Sequence, residues 1–520
     1  MNRLLTFIIL IVTAGMIAVC SNSNDSKTKN LALLELLTEC GNGNQSSANQ
    51  TGNNVYLSPN TPWSIYPGQA PFTITAAVAN DSNHKGVAWT ISGGAAGSLT
   101  NQTTTSVTYN PPSSEPNPNV VDTVTATSMA YGTNATLQVA VIQSSGSNVQ
   151  QVSVNGGPLP NLYYADAAFT SVKICTPGST TNCQTIAGIL VDTGSYGLRI
   201  LASQINSSLL SALTPETGSS GTINNCAQFV DGSYLWGPVV LSDVYIAGEV
   251  ASSTPIQIAQ DPTQYSIPNQ CSSYGQGIDD NSLYALGATG ILGVGSEPND
   301  CGPDCAPGTG SVGFPGYPYY ECTSSGCQKA LVAISQQVTN PVINFSVNNN
   351  GVILELPSVS DDVPSVYGSL IFGINTVSNN QLNSAAIFPI TDGFFITTFN
   401  GQSLTQSFVD SGSNGLFFND PTISACSDDP YFYCPSTACG PAALNFSAIN
   451  QGTSPSTVNF IVNNADTLFD TGDFALNNLA GSGFANSFDW GLPFFYGRRV
   501  FTAIDGKTVS GAPPTPFWAY

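Results

Sequence analysis

The chain has 520 residues, more than a single hydrophobic core accommodates, and its 50 Gly and 34 Pro, beside abundant Thr, Ser, Val and Asn, favour short strands and turns over helices. Only 8% of the residues are charged, and 10 Lys+Arg against 32 Asp+Glu give a net charge of −22, which leaves no basic patch for nucleic acid and predicts an acidic, solvated surface. The one histidine, His84, removes most Ser-His-Asp, Cys-His and multi-histidine zinc schemes and reads as an ordinary surface residue.

In chain order, residues 1–20 read as an export signal: Arg3 supplies the positive end and Leu4 to Val19 the apolar run, short for a spanning helix. Cys20 after Ile17-Ala18-Val19 resembles a bacterial lipoprotein cleavage box, so lipidation of Cys20 and simple cleavage both stay open, and membrane attachment is expected only through that lipid. Residues 21–52 are polar and Asn/Ser-rich, a tether. Residues 53–143 carry short alternating strands between turns, among them FTITAAVA, GVAWTISGG and TSVTYNPP, with Trp89 where a sandwich core wants it. This stretch resembles the immunoglobulin-like modules of exported bacterial proteins, which implies a spacer or binding module. Residues 144–158 read as a linker.

Thirteen Cys in an exported chain predict disulfides more readily than zinc sites. Cys175/Cys183, Cys301/Cys305 and Cys322/Cys327 look like loop staples, Cys226/Cys271 and Cys426/Cys434 are further candidates, and Cys40 and Cys439 have no obvious partner.

Two stretches then repeat, a domain's length apart: ILVDTGSYGL from Ile189 to Leu198 and SFVDSGSNGL from Ser407 to Leu416. Each is an apolar strand entering a tight turn that presents one aspartate, Asp192 or Asp410. Two carboxyls brought together can share a proton, one serving as acid and the other as base toward a single water. With TGILGVG at 289–295, FDWGLPFFYGRRVFTAIDGK at 488–507 and the opening NLYYADAAFTSVKICTPG, the repeats form an ordered set that resembles the pepsin-like aspartic peptidases. More narrowly, residues 160–520 resemble an uncharacterised family of exported bacterial proteins built on that plan.

The resemblance implies an all-β, bilobed pepsin-like fold behind the immunoglobulin-like β-sandwich, with lobes at 159–362 and 363–520. It implies that Gly194 and Gly412 let the backbone turn beside each Asp, that Thr193 and Ser411 cross-link the two loops, and that Ser195 and Ser413 donate to the outer carboxylate oxygens. The expected flap run, QFVDGSYLWGPVV, puts Phe229 where the family has Tyr, with Tyr234 and Trp236 as substitutes. Arg199 follows Leu198 where the family has Trp, and its role is open. Asp470 of a third Asp-Thr-Gly is read as a loop decoy, too close before Gly491 to belong to a lobe. No cofactor or metal is implied. Two functions follow: an exported aspartic endopeptidase acting on extended polypeptide, or a noncatalytic surface or periplasmic protein that binds a polypeptide ligand in the same cleft.

Overall fold

The computed structural model describes residues 55–520, apart from 59–62, 66–70, 80, 82, 95, 114–119, 142–147, 160–162, 260–264, 314–315, 360–361 and 438–439. The export signal, Cys20, Cys40, Cys439 and the whole tether therefore lie outside the described residues. The first unit holds β1 (Val55–Ser58), β2 (Trp63–Ile65), β3 (Phe72–Val78), β4 (Val87–Gly93), β5 (Ser98–Thr100), β6 (Ser106–Asn110), β7 (Val120–Ser128) and β8 (Asn134–Val141). They form two four-stranded sheets, β1-β3-β6-β5 and β2-β8-β7-β4. Alternation turns Ile74, Val107, Tyr109, Val124 and Val139 into one shared core, and Trp89 joins it at 6% exposure while its ring N–H donates to the Thr103 carbonyl. His84 is exposed at a positive φ of 50°.

The rest of the chain is built on β9 (Val149–Val154), β10 (Ala168–Cys175), β11 (Cys183–Asp192), β12 (Tyr196–Leu201), β13 (Thr222–Gln228), β14 (Ser233–Ile246), β15 (Glu249–Ala259), β16 (Ile278–Asp279), β17 (Gly290–Val294), β18 (Tyr319–Thr323) and β19 (Gly326–Lys329). They continue into β20 (Gly351–Glu355), β21 (Val366–Phe372), β22 (Ile387–Pro389), β23 (Phe395–Phe399), β24 (Gln402–Val409), β25 (Leu416–Phe418), β26 (Ser436–Thr437), β27 (Gly440–Pro441), β28 (Leu444–Gln451), β29 (Ser456–Val462), β30 (Ala480–Ser482), β31 (Phe488–Trp490), β32 (Arg499–Ala503) and β33 (Phe517–Ala519). A 16-stranded sheet runs from β19 through the first lobe into β9-β21-β20-β32-β33-β22, and a 7-stranded sheet, β29-β28-β23-β24-β31-β25-β30, completes the second lobe. The all-β expectation holds, with the two aspartate-bearing repeats lying in two different sheets.

Two expected boundaries are corrected. Residues 149–154 are not linker but β9, which pairs with β10 on one edge and with β21 on the other. Its Gln150, Gln151 and Ser153 disguised it, yet Val152 and Val154 are fully buried and both edges of its backbone find partners. The division at residue 362 falls in the connection between β20 and β21, which pair with each other, so the lobes share a sheet there. All five expected disulfides form, 175–183, 226–271, 301–305, 322–327 and 426–434.

Each repeat builds the same knot of strands. In the first lobe β17 inserts between β11, to which it is parallel, and β12, to which it is antiparallel; in the second β31 inserts likewise between β24 and β25. Such an inserted strand is enclosed on both edges and faces, which is why Gly290-Ile291-Leu292-Gly293-Val294 is buried throughout. The strand passes against the Asp-bearing turn, and only glycine leaves room: a Cβ on Gly491 would lie 2.1 Å from the Gly415 carbonyl oxygen, and one on Gly293 would lie 2.6 Å from the Tyr196 nitrogen. Both obstacles are backbone and cannot rotate away. Gly491→Ala is therefore expected to cost about 2–4 kcal/mol, read as a lowered urea unfolding midpoint; an unchanged midpoint would show that the turn after Asp410 yields freely.

Candidate active site

β11, buried over its last four residues, and β24, mostly polar and exposed until Ser407, deliver Asp192 and Asp410 at their ends, and the turns that follow bind each other across the lobes. The Ser411 N–H donates to the Thr193 hydroxyl at 2.9 Å, the Thr193 N–H donates to the Ser411 hydroxyl at 3.1 Å, and that hydroxyl donates onward to the Val191 carbonyl at 2.8 Å. Ser411 is fully buried and Thr193 is 2% exposed, so these bonds lie out of competition with water.

Each carboxyl is held by its own turn. Asp192 Oδ1 accepts from the Gly194 and Ser195 N–H groups at 2.8 and 3.1 Å, and the Ser195 hydroxyl donates to Oδ2. Asp410 Oδ1 accepts from the Gly412 N–H at 2.7 Å, and the Ser413 hydroxyl donates to Oδ2 at 3.0 Å. The glycines serve by absence rather than by an unusual backbone, since neither has a positive φ. A Cβ on Gly194 would sit 2.4 Å from Asp410 Cγ, and one on Gly412 2.8 Å from Asp192 Cγ, so each carboxyl rests against the opposite turn. The two side chains hydrogen-bond to each other, and burial first, then the charges of Asp192 and Asp489, push Asp410 well above the usual carboxylate range. The Ser195 and Ser413 hydroxyls fix the outer oxygen of each carboxyl.

The run read as a flap forms a hairpin. β13 and β14 form a hairpin whose turn, from Phe229 to Gly232, closes with the Phe229 N–H donating to the Ser233 carbonyl at 2.9 Å. Phe229 is half-buried with Ala227 and Leu235 in a cluster that contains Phe169, Leu190 and Tyr164. Tyr234 and Trp236 do not substitute for it. Strand alternation turns both to the opposite face, where they pack on the Cys226–Cys271 disulfide and Tyr320 at 5% and 4% exposure.

Four residues passed unassigned in the sequence. The half-buried Tyr164 and Tyr196 each feel both aspartates, though burial is the first cause that holds their phenols above the ordinary range. Arg199 pairs with Asp300 at 3.2 Å, and Asn225 Nδ2 donates to the same Asp300 oxygen at 2.7 Å, a buried brace under the hairpin. Asp489 lies on β31 beside the second turn, and the signal was available: FDWG stands where the first lobe has GILG. Asp470 ends a short helix, Ala465–Asp470, and is exposed, consistent with a decoy.

Residues 144–520 match the family described as "Protein of unknown function (DUF3443)". No curated protein matches the chain. Among solved structures, the chain is similar to the aspartic proteinase from Irpex lacteus, with a TM-score of 0.41 and 14% identity over 71% of this chain and 96% of that one.

Ser411→Ala removes one hydroxyl that serves two buried backbone groups, the Thr193 N–H and the Val191 carbonyl. The expected loss is about 2–4 kcal/mol of stability, measured by chemical denaturation. A loss within experimental error would mean that the turns do not depend on this cross-link.

Proposed function

This chain belongs to the DUF3443 family of unknown function, and from the site we propose that it is an aspartic endopeptidase-like hydrolase acting on extended polypeptide, with Asp192 and Asp410 as the catalytic pair. The observation that carries the reading is the reciprocal bonding of the Thr193 and Ser411 turns, which sets two hydrogen-bonded carboxyls against each other's glycines. A water between the carboxyls loses a proton to the ionised one as it attacks a peptide carbonyl carbon. The protonated one gives its proton to the carbonyl oxygen, and the leaving nitrogen is then protonated in turn. Ser195 and Ser413 keep the outer oxygens occupied, so the inner ones face the substrate. An extended chain would bind between the lobes largely through backbone hydrogen bonds.

The second reading, a noncatalytic polypeptide-binding protein, is favoured by one observation: Phe229 at the hairpin turn has no hydroxyl with which to join a hydrogen-bond network over the site. The N-terminal unit supports an accessory role in either case. Its strand order, with β1-β3-β6-β5 facing β2-β8-β7-β4, matches that of an immunoglobulin-like sandwich, and Trp89 occupies the strand where such sandwiches bury a tryptophan. Export fits the five disulfides. Among the described residues no helix is long and apolar enough to cross a membrane, and the attachment we propose is a lipid on Cys20.

Purified protein incubated with unfolded polypeptides from acid to neutral pH tests the reading. Cleavage should fall by about 10³-fold or more in Asp192→Asn and in Asp410→Asn, and remain in Asp470→Asn. Cleavage that survives both of the first substitutions removes the assignment. A wild type that cuts nothing yet binds a pepstatin-type hydroxyl inhibitor would favour the binding protein.

A further inference from the structure

The two lobes differ at one buried position beside the carboxyl pair. In the first lobe Ile291 of β17 lies opposite Leu190 and Arg199; in the second the same place in the strand knot, opposite Phe408 and Phe417, is taken by Asp489 of β31. Ile291 is 4% exposed and packs in an apolar cluster, and Asp489 is 8% exposed. A carboxyl in such a place resists ionisation unless a cation or several donors compensate it. No cation does so among the described residues: the groups that face Asp489 are the Ser413 hydroxyl and the Asp192 and Asp410 carboxyls, while its strand neighbours Phe408 and Phe417 are apolar. Asp489 Oδ1 is buried without a hydrogen-bond partner.

The Ser413 hydroxyl donates to Asp410 Oδ2 at 3.0 Å and also faces the Asp489 carboxyl. It has one hydrogen to give. If that hydrogen goes to Asp410, the contact with Asp489 is a hydrogen bond only when Asp489 itself carries a proton. Burial holds Asp489 well above the usual carboxylate range; the Ser413 contact works against this, and the charge of Asp192 adds to the rise.

We propose that Asp489 is a positioning residue for the Asp192/Asp410 pair, a third carboxyl that keeps a proton behind Asp410 through the Ser413 hydroxyl and sets the pH at which the pair gives up its shared proton. This rests on the hydrolytic reading of the pair. As pH rises, Asp489 releases its proton to solvent, and the charge it leaves behind increases the hold of Asp410 on the proton shared with Asp192. The third carboxyl thereby extends the singly protonated state of the pair toward neutral pH.

The test compares full-length wild type with Asp489→Asn, which keeps shape and a donor, and with Asp489→Ile, which copies the first lobe. Binding of a pepstatin-type inhibitor is followed from about pH 3 to about pH 8. Binding should fail on the alkaline side about one pH unit or more earlier in both variants; coincident alkaline limbs overturn the proposal. Stability against pH is read in parallel. Because burial raises the folded-state value of Asp489, its contribution is fully present below the ordinary carboxylate range and is lost as pH rises through the folded value. Asp489→Asn should therefore match or trail wild type in acid and overtake it toward neutral pH. Parallel stability curves also overturn the proposal. A wild type that binds no inhibitor at any pH, while the stability curves still cross, overturns the hydrolytic reading instead and retains the three-carboxyl cluster.

Discussion

Everything in the site depends on the reciprocal hydrogen bonding between the Thr193 and Ser411 turns. Each turn leaves its strand as a short irregular segment and has no strong reason of its own to hold one geometry. Joined back to back inside a water-free contact, each fixes the backbone of the other, and the two aspartates that precede them are brought together by the same four atoms. The carboxyls gain nothing from this approach, since like charges repel and burial opposes ionisation. The neutral cross-link beneath them, and the strand knots behind, offset that cost.

The strand knots explain why the cross-link can be rigid. β17 and β31 run through the middle of their lobes, each paired on both edges, and Leu292 and Trp490 anchor them in one extended core. In the second lobe that core is aromatic: Phe488 and Trp490 stack with ring centroids 4.0 Å apart, and Phe399, Phe418 and Phe460 crowd around Phe488. β9 does for the lobes what the turns do for the carboxyls. Paired with β10 on one side and β21 on the other, it carries the hydrogen-bonded sheet from the first lobe into the second, so relative motion of the lobes works against a continuous ladder.

Electrostatically the site is one-sided. The buried guanidinium of Arg199 is paired with Asp300, and Asn225 and Tyr319 are also bound to that carboxyl. Among the described residues the donors bonded to Asp192 and Asp410 are serine hydroxyls and backbone N–H groups, and burial holds Asp410 and Asp489 well above the usual carboxylate range. Such a site is tuned by how many protons it holds, and that number is set by burial and by the neighbour's charge.

The sequence by itself determined the all-β class, the two repeats, the pairing partners of five disulfides, and the identity of both aspartates and their supporting Thr, Ser and Gly residues. These were legible because a tight turn after a strand leaves a local, contiguous signature, and four of the five disulfides join cysteines only four to eight residues apart, which leaves few alternatives. Only the tertiary structure decided the rest. β9 looked like a linker because its stability comes from two remote strands and not from its own Val149–Val154 composition. Tyr234 and Trp236 could not be told from Phe229 until strand pairing assigned them to opposite faces of the hairpin. Asp489 stood inside the FDWG run, but only register against Phe408 and Phe417, and the Ser413 hydroxyl between the two carboxyls, placed it behind Asp410. A contact between residues far apart in the chain is a property of packing, and packing is resolved only when both partners have been folded onto the same sheet.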